Sequence, residues 1–230
     1  MKTIGLLGGM SWESSAQYYS IINREVMARL GHPHSARVLL QSVDFGEVEK
    51  LQHAGEWDAL GAMLANEARN LEAGGADCIL LCTNTMHLRA DDITTAVSIP
   101  LIHIGDSTGK AIRKAGLKRV GLLGTAFTME KPFYRERLQS QFDLDVLIPD
   151  EDERKMVHRV IYEELVGGKV REESRTAYLA VIERLRNRGA EGIILGCTEI
   201  MLLVDQEHVD LPLFDTTRQH ALDGVEFALS

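Results

Sequence analysis

Short apolar runs alternate with longer amphipathic segments along this 230-residue chain. The runs at 76–82 and 192–195 are almost continuously apolar, as expected for strands that are covered on both faces of a parallel sheet. The intervening segments space their apolar residues three or four positions apart, as Tyr18 and Ile22 are within 12–30. This alternation predicts an α/β fold with parallel sheets and right-handed crossovers.

The same pattern predicts the bounds of the individual elements. Strands are expected at 3–8, 37–43, 76–82, 99–104, 120–123, 144–148 and 192–195. Helices are expected at 12–30, 56–73, 131–141, 152–166, 172–188 and 215–230. Ser11 is placed to cap the first of these helices.

The chain contains an internal repeat. Residues 75–85 align without a gap on residues 189–199, at a constant offset of 114. In that register Thr83 falls opposite Cys197. Two further matches occur in the same order at nearly the same spacing: 4–8 with 120–124, and 99–102 with 211–214. Three collinear matches predict two copies of one α/β unit.

Two copies predict two pseudo-symmetric lobes, each a sandwich of helices around a parallel sheet. The repeat sets the expected boundaries, with residues 1–98 and 215–230 in the first lobe and residues 99–214 in the second. Ligands of such folds lie beyond the carboxyl ends of the strands, where Thr83 and Cys197 are both placed. We therefore expect an active site in a cleft between the lobes. Two facing side chains of this kind suit a reaction that inverts a stereocentre.

Composition limits the classes of partner. The formal net charge is −9 and no basic cluster is present, so neither nucleic acid nor an anionic membrane is expected as a partner. Residues 1–9 are too short and glycine-broken for a signal peptide, and no long apolar span follows. The three cysteines are odd in number, which favours free thiols in a reducing cytoplasm. No metal site is expected, because Pro33 separates His32 from His34 and no third ligand is nearby.

Two motifs carry a family resemblance. Residues 83–87 (Thr-Asn-Thr-Met-His) and 196–199 (Gly-Cys-Thr-Glu) resemble the paired motifs of the cofactor-independent aspartate/glutamate racemase superfamily, and residues 5–14 resemble its aspartate racemase branch. The resemblance implies an amino-acid substrate, no cofactor, two α/β lobes, a homodimer, and acid and base side chains on the two faces of Cα. Thr83 stands where the superfamily has cysteine, which is similar to the L-aspartate/glutamate-specific branch.

This chemistry needs two positioned proton-transfer groups, because the Cα proton is a very weak acid. A thiol has a reference pKa of about 8.5, which a nearby cation can lower, so Cys197 is the expected base. The Thr83 hydroxyl is a far weaker base, but it can donate a proton to the other face. Asn84, Thr85 and Thr198 follow the strand ends, where backbone N–H groups and short polar side chains can bind a carboxylate.

Four further residues are expected to bind the substrate. Lys169 resembles the loop lysine of the superfamily that meets the distal carboxylate, although a lysine near a helix end also complements the helix dipole. Met10 is expected to line the cleft, and Gln52 to reach the substrate from a mobile segment. Glu199 is the last residue of the second motif and is expected to bind the substrate as part of it.

Two neighbouring residues need a separate interpretation. Cys82 lies one residue before Thr83, and a one-residue step along a strand turns the side chain to the opposite face. Cys82 is therefore expected to be a packed structural thiol rather than the base. His87 either orients its neighbours or transfers protons, and the sequence leaves both readings open.

The sequence thus predicts cofactor-independent racemisation of acidic L-amino acids, aspartate or glutamate. Two alternatives stay open. One is an isomerase or decarboxylase of the same superfamily that uses Cys197 alone. The other is a non-catalytic amino-acid-binding protein.

Overall fold

The computed structural model describes residues 1–230, which divide into two compact units. Unit 1 contains Met1–Ile104 and Thr217–Ser230, and unit 2 contains Gly105–Thr216. The two boundaries between the units, after Ile104 and after Thr216, lie six and two residues later along the chain than the repeat predicts. The larger difference arises because residues 101–102, which the repeat assigned to the second lobe, pair with a strand of unit 1.

Unit 1 alternates strands and helices from its first residues. In chain order it contains β1 (Ile4–Gly8), α1 (Trp12–Leu30), β2 (Val38–Ser42), α2 (Phe45–Ala54), α3 (Trp57–Ala73), β3 (Cys78–Leu81), a 3₁₀ helix (Thr85–Arg89), α4 (Ala90–Ala96) and β4 (Leu101–Ile102). Helix α5 (Ile104–Lys114) then leads into unit 2.

Unit 2 continues with the same order of strands. It contains β5 (Arg119–Gly124), α6 (Ala126–Glu130), α7 (Pro132–Phe142), β6 (Asp145–Leu147), α8 (Glu151–Val160), a π-helix (Ile161–Leu165), α9 (Glu172–Asn187), β7 (Ile193–Gly196), α10 (Ile200–Leu203) and β8 (Leu213–Asp215). The chain returns to unit 1 in α11 (Thr216–Leu229).

Each unit has one parallel four-stranded sheet, and the two sheets have equivalent topology. The strand orders are β2-β1-β3-β4 and β6-β5-β7-β8. The registers are also equivalent: Leu7 pairs with Leu81 in one sheet, and Leu123 pairs with Leu195 in the other. These pairs are related by the offsets of the sequence repeat. The predicted α/β fold with two duplicated parallel-sheet units is therefore confirmed.

Alternating side chains of the central strands of unit 1 enter two separate cores. On β3, Ile79 and Leu81 pack with residues of α2, α3 and α4, whereas Cys78 and Leu80 pack with α1 and α11. Cys82 continues the second set, among the apolar residues that face α1 and α11. This period-two division is what a sheet covered on both faces requires.

Three segments differ from the expected elements. The segment described above as mobile is α2, which Asp44 caps by accepting from the Gly46 N–H and which ends at Gly55 in the left-handed region (φ 73°). The expected helix 152–166 changes to a π-helix after Val160. The expected strand 99–104 is only two residues long, because α5 already begins at Ile104. None of the helices combines the length and apolar character needed to cross a membrane.

Candidate active site

Thr83 lies two residues beyond β3, at the carboxyl end of that strand. Its N–H donates to the Leu81 carbonyl (2.8 Å), and its own carbonyl lies 2.7 Å from His87 Nδ1. Asn84 and Thr85 follow, both buried, where the chain enters the 3₁₀ helix. The backbone on either side of the Thr83 hydroxyl is therefore held by hydrogen bonds.

Two serines of α1 hold the backbone here: Ser15 bonds within the turn from β1 into α1, and Ser14 bonds to the residue just beyond β3. The Ser15 hydroxyl accepts from the Gly9 N–H (2.8 Å), and the Ser14 hydroxyl donates to the Cys82 carbonyl (3.0 Å). A Cβ at Gly8 would overlap the Ser15 side chain, so glycine permits this close approach. The sequence analysis missed both serines, although a cluster of hydroxyls at a helix start is a recognisable capping signal.

Met10 and Gln52 belong to the same part of unit 1. Met10 packs in one apolar cluster with Val48 of α2 and Met86 of the 3₁₀ helix. Gln52 is buried, and its Nε2 donates to Met86 Sδ (3.1 Å). Its Oε1 is buried without a hydrogen-bond partner. Gln52 thus lies in a helix beside the Thr83 motif, and its unused acceptor marks it as a functional candidate.

Cys197 follows β7 at the position equivalent to Thr83 in the other unit. Its thiol donates to Glu199 Oε2 (2.9 Å), and the Thr198 hydroxyl donates to the same oxygen (2.7 Å). Glu199 is buried. Of the two residues predicted to bind substrate, Glu199 therefore contacts the Cys197 thiol and Thr198 contacts Glu199. A buried carboxylate bonded to the thiol was not foreseen from the sequence.

The surroundings of Cys197 favour the protonated thiol. Burial raises the pKa of Cys197 well above its ordinary value, and the negative charge of Glu199 raises it further. No cation is among the causes of this shift. A carboxylate that accepts the S–H bond offers a different route to the thiolate, since it can take the proton.

Two glycines let the strands of unit 2 meet closely beside Cys197. A Cβ at Gly196 would lie 2.9 Å from the Leu123 carbonyl oxygen, and one at Gly124 would lie 3.1 Å from the Gly196 carbonyl oxygen. The first distance requires the backbone to move, and the second requires a shift of a few tenths of an ångström. Strand packing therefore favours glycine immediately before Cys197.

Lys169 is exposed in the loop after the π-helix, and its N–H donates to the Glu164 carbonyl (2.9 Å). The Glu164 side chain is buried and accepts from the Ser174 hydroxyl (2.7 Å), with Arg171 Nη1 3.9 Å from its other oxygen. Burial raises the pKa of Tyr178, and the negative charge of Glu164 adds to the shift. Glu164 is a further buried acidic group of this unit, and no sequence pattern distinguishes it from its exposed neighbours.

The other two cysteines are core residues. Cys78 and Cys82 are fully buried, and burial raises the pKa of Cys78 to about 12. Burial likewise raises the pKa of Cys82, whose Sγ lies 3.6 Å from the Leu80 carbonyl oxygen. Neither thiol has a carboxylate hydrogen-bond partner of the kind that Cys197 has in Glu199. No group of three or more His, Cys, Asp or Glu side chains is arranged to hold a metal ion.

Comparison with known proteins gives a consistent result. The sequence profile of the Asp/Glu/Hydantoin racemase family matches residues 7–223. A crystal structure from Yersinia pestis, provisionally described as an Asp/Glu racemase, is 49% identical over 100% of both chains with a TM-score of 0.94. An aspartate racemase homologue from Pyrococcus horikoshii OT3 is 33% identical over 100% of both chains with a TM-score of 0.88. The broad specificity amino-acid racemase RacX of Bacillus subtilis (strain 168) is 23% identical over 70% of this chain and 68% of its own.

The family match spans nearly the whole chain, and both structural relatives cover it completely. The resemblance seen in the motifs of residues 83–87 and 196–199 is thereby confirmed at the level of the superfamily. An amino-acid racemase acting on a small-molecule substrate is the class that these relatives support. The chain belongs to the Asp/Glu/Hydantoin racemase family.

Proposed function

We propose that this protein racemises acidic L-amino acids, aspartate and glutamate, by proton transfer at the two faces of Cα without a cofactor. The observation that carries the proposal is the hydrogen bond between the Cys197 thiol and the Glu199 carboxylate. It pairs a nucleophile-type side chain with a proton acceptor, at the strand end equivalent to the one that carries Thr83.

The proposed reaction starts when Glu199 takes the thiol proton of Cys197. The resulting thiolate removes the Cα proton of the L-substrate, and the Thr83 hydroxyl protonates the opposite face. Thr83 regains its proton from water, and Glu199 releases one, so that the protein returns to its initial state. The mechanism requires both side chains to reach one Cα.

The remaining candidates are assigned to substrate binding. Backbone N–H groups and hydroxyls at Asn84, Thr85 and Thr198 suit the α-carboxylate, since they follow the carboxyl ends of two parallel strands. The unused Oε1 of Gln52 suits an N–H donor such as the substrate ammonium. Exposed Lys169 supplies a charge for the distal carboxylate, which is what would select acidic side chains.

Met10 completes the proposed set as an apolar wall. It packs in one cluster with Met86, the residue that contacts Gln52. A change of side-chain volume at Met10 would therefore shift Met86 and, through it, the Gln52 amide. Met10 is therefore proposed to shape the space beside Cα rather than to bind a polar group.

A homodimer in a reducing cytoplasm is also proposed. Trp12, Tyr19, Met27 and Leu30 are 67%, 54%, 44% and 44% exposed, and their spacing places them along one face of α1. Exposed apolar patches of this kind mark association surfaces. The three cysteines are free thiols, which favours a reducing compartment. Light scattering would test the dimer, and a mass of one chain at all concentrations would exclude it.

A turnover screen tests the proposed function. Purified protein is incubated separately with L-aspartate, L-glutamate and their D-enantiomers, and optical rotation and released carbon dioxide are followed. Loss of rotation without carbon dioxide supports the racemase. Carbon dioxide release would instead indicate a decarboxylase, and binding without turnover would indicate an amino-acid-binding protein.

A further inference from the structure

His87 is buried, and both of its ring nitrogens are bonded to backbone groups. The Ile104 N–H donates to Nε2 (3.2 Å), and Nδ1 lies 2.7 Å from the Thr83 carbonyl oxygen. An amide N–H can only donate and a carbonyl can only accept, so Nε2 carries no proton and Nδ1 carries one. The geometry therefore fits the neutral imidazole with its proton on Nδ1.

This arrangement commits the only proton of His87. The Nδ1–H is used by the Thr83 carbonyl, and a proton added at Nε2 would face the Ile104 N–H donor to donor. Two opposed donors in a buried position are costly. His87 is thus unsuited to carry protons to or from a substrate, although it lies four residues from Thr83.

A second buried histidine holds the same backbone segment in the opposite tautomer. His220 Nε2 lies 2.7 Å from the Ile102 carbonyl oxygen, which requires a proton on Nε2. When Nε2 carries the only ring proton, the Tyr18 hydroxyl, 2.7 Å from His220 Nδ1, is the donor of that bond. The rings of His103 and His220 both pack edge-on against His87, with centroids 4.4 Å and 5.8 Å away. Two further imidazoles therefore contact His87, and the Tyr18 phenol is bonded to one of them.

The result is a chain of bonds that ends on the Thr83 motif. It runs from the Thr83 carbonyl through His87 to residues 102–104, and from there through His220 to Tyr18 of α1. Ile102 ends β4, the neighbour of β3, and Ile104 follows it, so these bonds anchor the Thr83 backbone to the adjacent strand end. A backbone held in this way fixes the point from which the Thr83 side chain extends.

We propose that His87 is a positioning residue that aligns Thr83 through a neutral Nδ1–H imidazole and takes no part in proton transfer. The effect of His87 on catalysis rests on the proposed function, in which Thr83 protonates Cα. The tautomer of His87 does not depend on that function, so the tautomer and the effect on catalysis can be tested separately.

The tautomer is tested on the full-length protein labelled with nitrogen-15 histidine. Long-range nitrogen–proton spectra distinguish the two neutral tautomers and the imidazolium. His87, identified by the signals lost in His87→Asn, is expected as the neutral Nδ1–H form over about two pH units around neutrality. His220 is expected as the Nε2–H form in the same spectrum. An imidazolium or an Nε2–H form at His87 would overturn the proposal.

The positioning role is tested with two variants that each keep one of the two bonds. The amide of His87→Asn can replace Nδ1–H and keep the Thr83 bond, whereas His87→Gln reaches the position of Nε2 and keeps only the Ile104 bond. We expect His87→Asn to retain kcat within about tenfold with an unchanged pH profile, and His87→Gln to lose about 10²-fold in kcat with little change in KM. Circular dichroism and Tm identify any variant that fails to fold.

The possible outcomes separate the two proposals. Equal loss in both folded variants, together with a missing limb of the pH profile, would show that His87 transfers protons and would overturn the inference. Full activity in both would overturn it as well, because no positioning would then be needed. If the unmodified protein shows no Cα chemistry, the proposed function fails, and the nitrogen-15 spectra alone decide the state of His87. If His87→Gln does not fold, the spectra and His87→Asn decide it.

Discussion

The Cys197 thiol donates a 2.9 Å hydrogen bond to the carboxylate of Glu199, and that carboxylate also accepts from Thr198. Burial and the Glu199 charge together raise the pKa of the thiol. The base of the proposed reaction is therefore stored in the protonated form, with its proton acceptor already bonded to it. In the proposed reaction, Glu199 therefore acts as the proton acceptor of the thiol in addition to its proposed part in substrate binding.

Replacing Glu199 by glutamine should have opposite effects on the thiol and on the reaction. Removal of the negative charge lowers the pKa of Cys197, since Glu199 raises it in the native protein. Turnover should nevertheless fall about 10²–10⁴-fold, because the proton acceptor is lost. Thiolate absorbance against pH and Cα exchange measure the two effects. For the thiol pKa, Thr198→Val is the matched control, because it removes the other bond to the carboxylate and keeps the negative charge. A pKa that rises in Glu199→Gln would contradict the account.

Thr83→Cys places a thiol on the face where the native protein has a weak base. Turnover of the D-enantiomer should rise, by up to about 10²–10⁴-fold for a positioned general base. Because the equilibrium constant between enantiomers is unity, kcat/KM must rise by the same factor in both directions. Initial rates from each pure enantiomer measure this. Unchanged D-turnover with persistent L-turnover would show that Thr83 is not the second proton-transfer group.

Gln52→Leu should separate stability from binding. The substitution removes a buried Oε1 that has no hydrogen-bond partner together with the Nε2 bond to Met86 Sδ, and these effects oppose each other, so the free energy of unfolding should change by less than about 1 kcal/mol. KM should rise about tenfold, the effect of one lost hydrogen bond to a charged group. Urea unfolding and steady-state kinetics are the measurements. A loss of more than about 2 kcal/mol with unchanged KM would show that Gln52 is only a packing residue.

The buried Cys78 predicts a specific loss of stability in alkali. Burial raises its pKa to about 12 in the folded state, against about 8.5 in the unfolded chain. The unfolded state therefore binds fewer protons between these values, and the free energy of unfolding falls as pH rises above about 8.5. Cys78→Ala should remove about 1.4 kcal/mol of the decrease between about pH 7 and pH 9.5. Urea unfolding at both pH values checks this, and equal decreases in the two proteins would refute it.

The sequence was sufficient to predict the duplicated sheets, because strand pairing preserves the spacing of the repeat. Leu7 with Leu81 and Leu123 with Leu195 are register pairs that its offsets imply. The core position of Cys82 likewise follows from strand alternation, since it continues the set of Cys78 and Leu80 beside α1 and α11. Long, strongly patterned elements are predictable on this basis.

Other features depend on contacts that a single chain pattern does not encode. Helix α2 is short and contains Gly46 near its start, so its capping residue Asp44 was the only clear signal. The Cys197–Glu199 bond depends on the path of the chain after β7, where no periodicity applies. The tautomer of His87 depends on Ile104, which is distant in sequence. Each of these features is decided by tertiary contacts.

Exchange of the Cα proton for deuterium is the most direct test of the central claim, that Cys197 is the base of a two-face proton transfer. The account predicts that the native protein in deuterium oxide incorporates deuterium at Cα of L-aspartate and L-glutamate. Cys197→Ser, which is nearly isosteric, should fold normally and incorporate none, whereas Cys82→Ser should retain exchange. Substantial exchange in a folded Cys197→Ser protein would contradict the account. Its loss in a folded Cys82→Ser protein would instead make Cys82 the base.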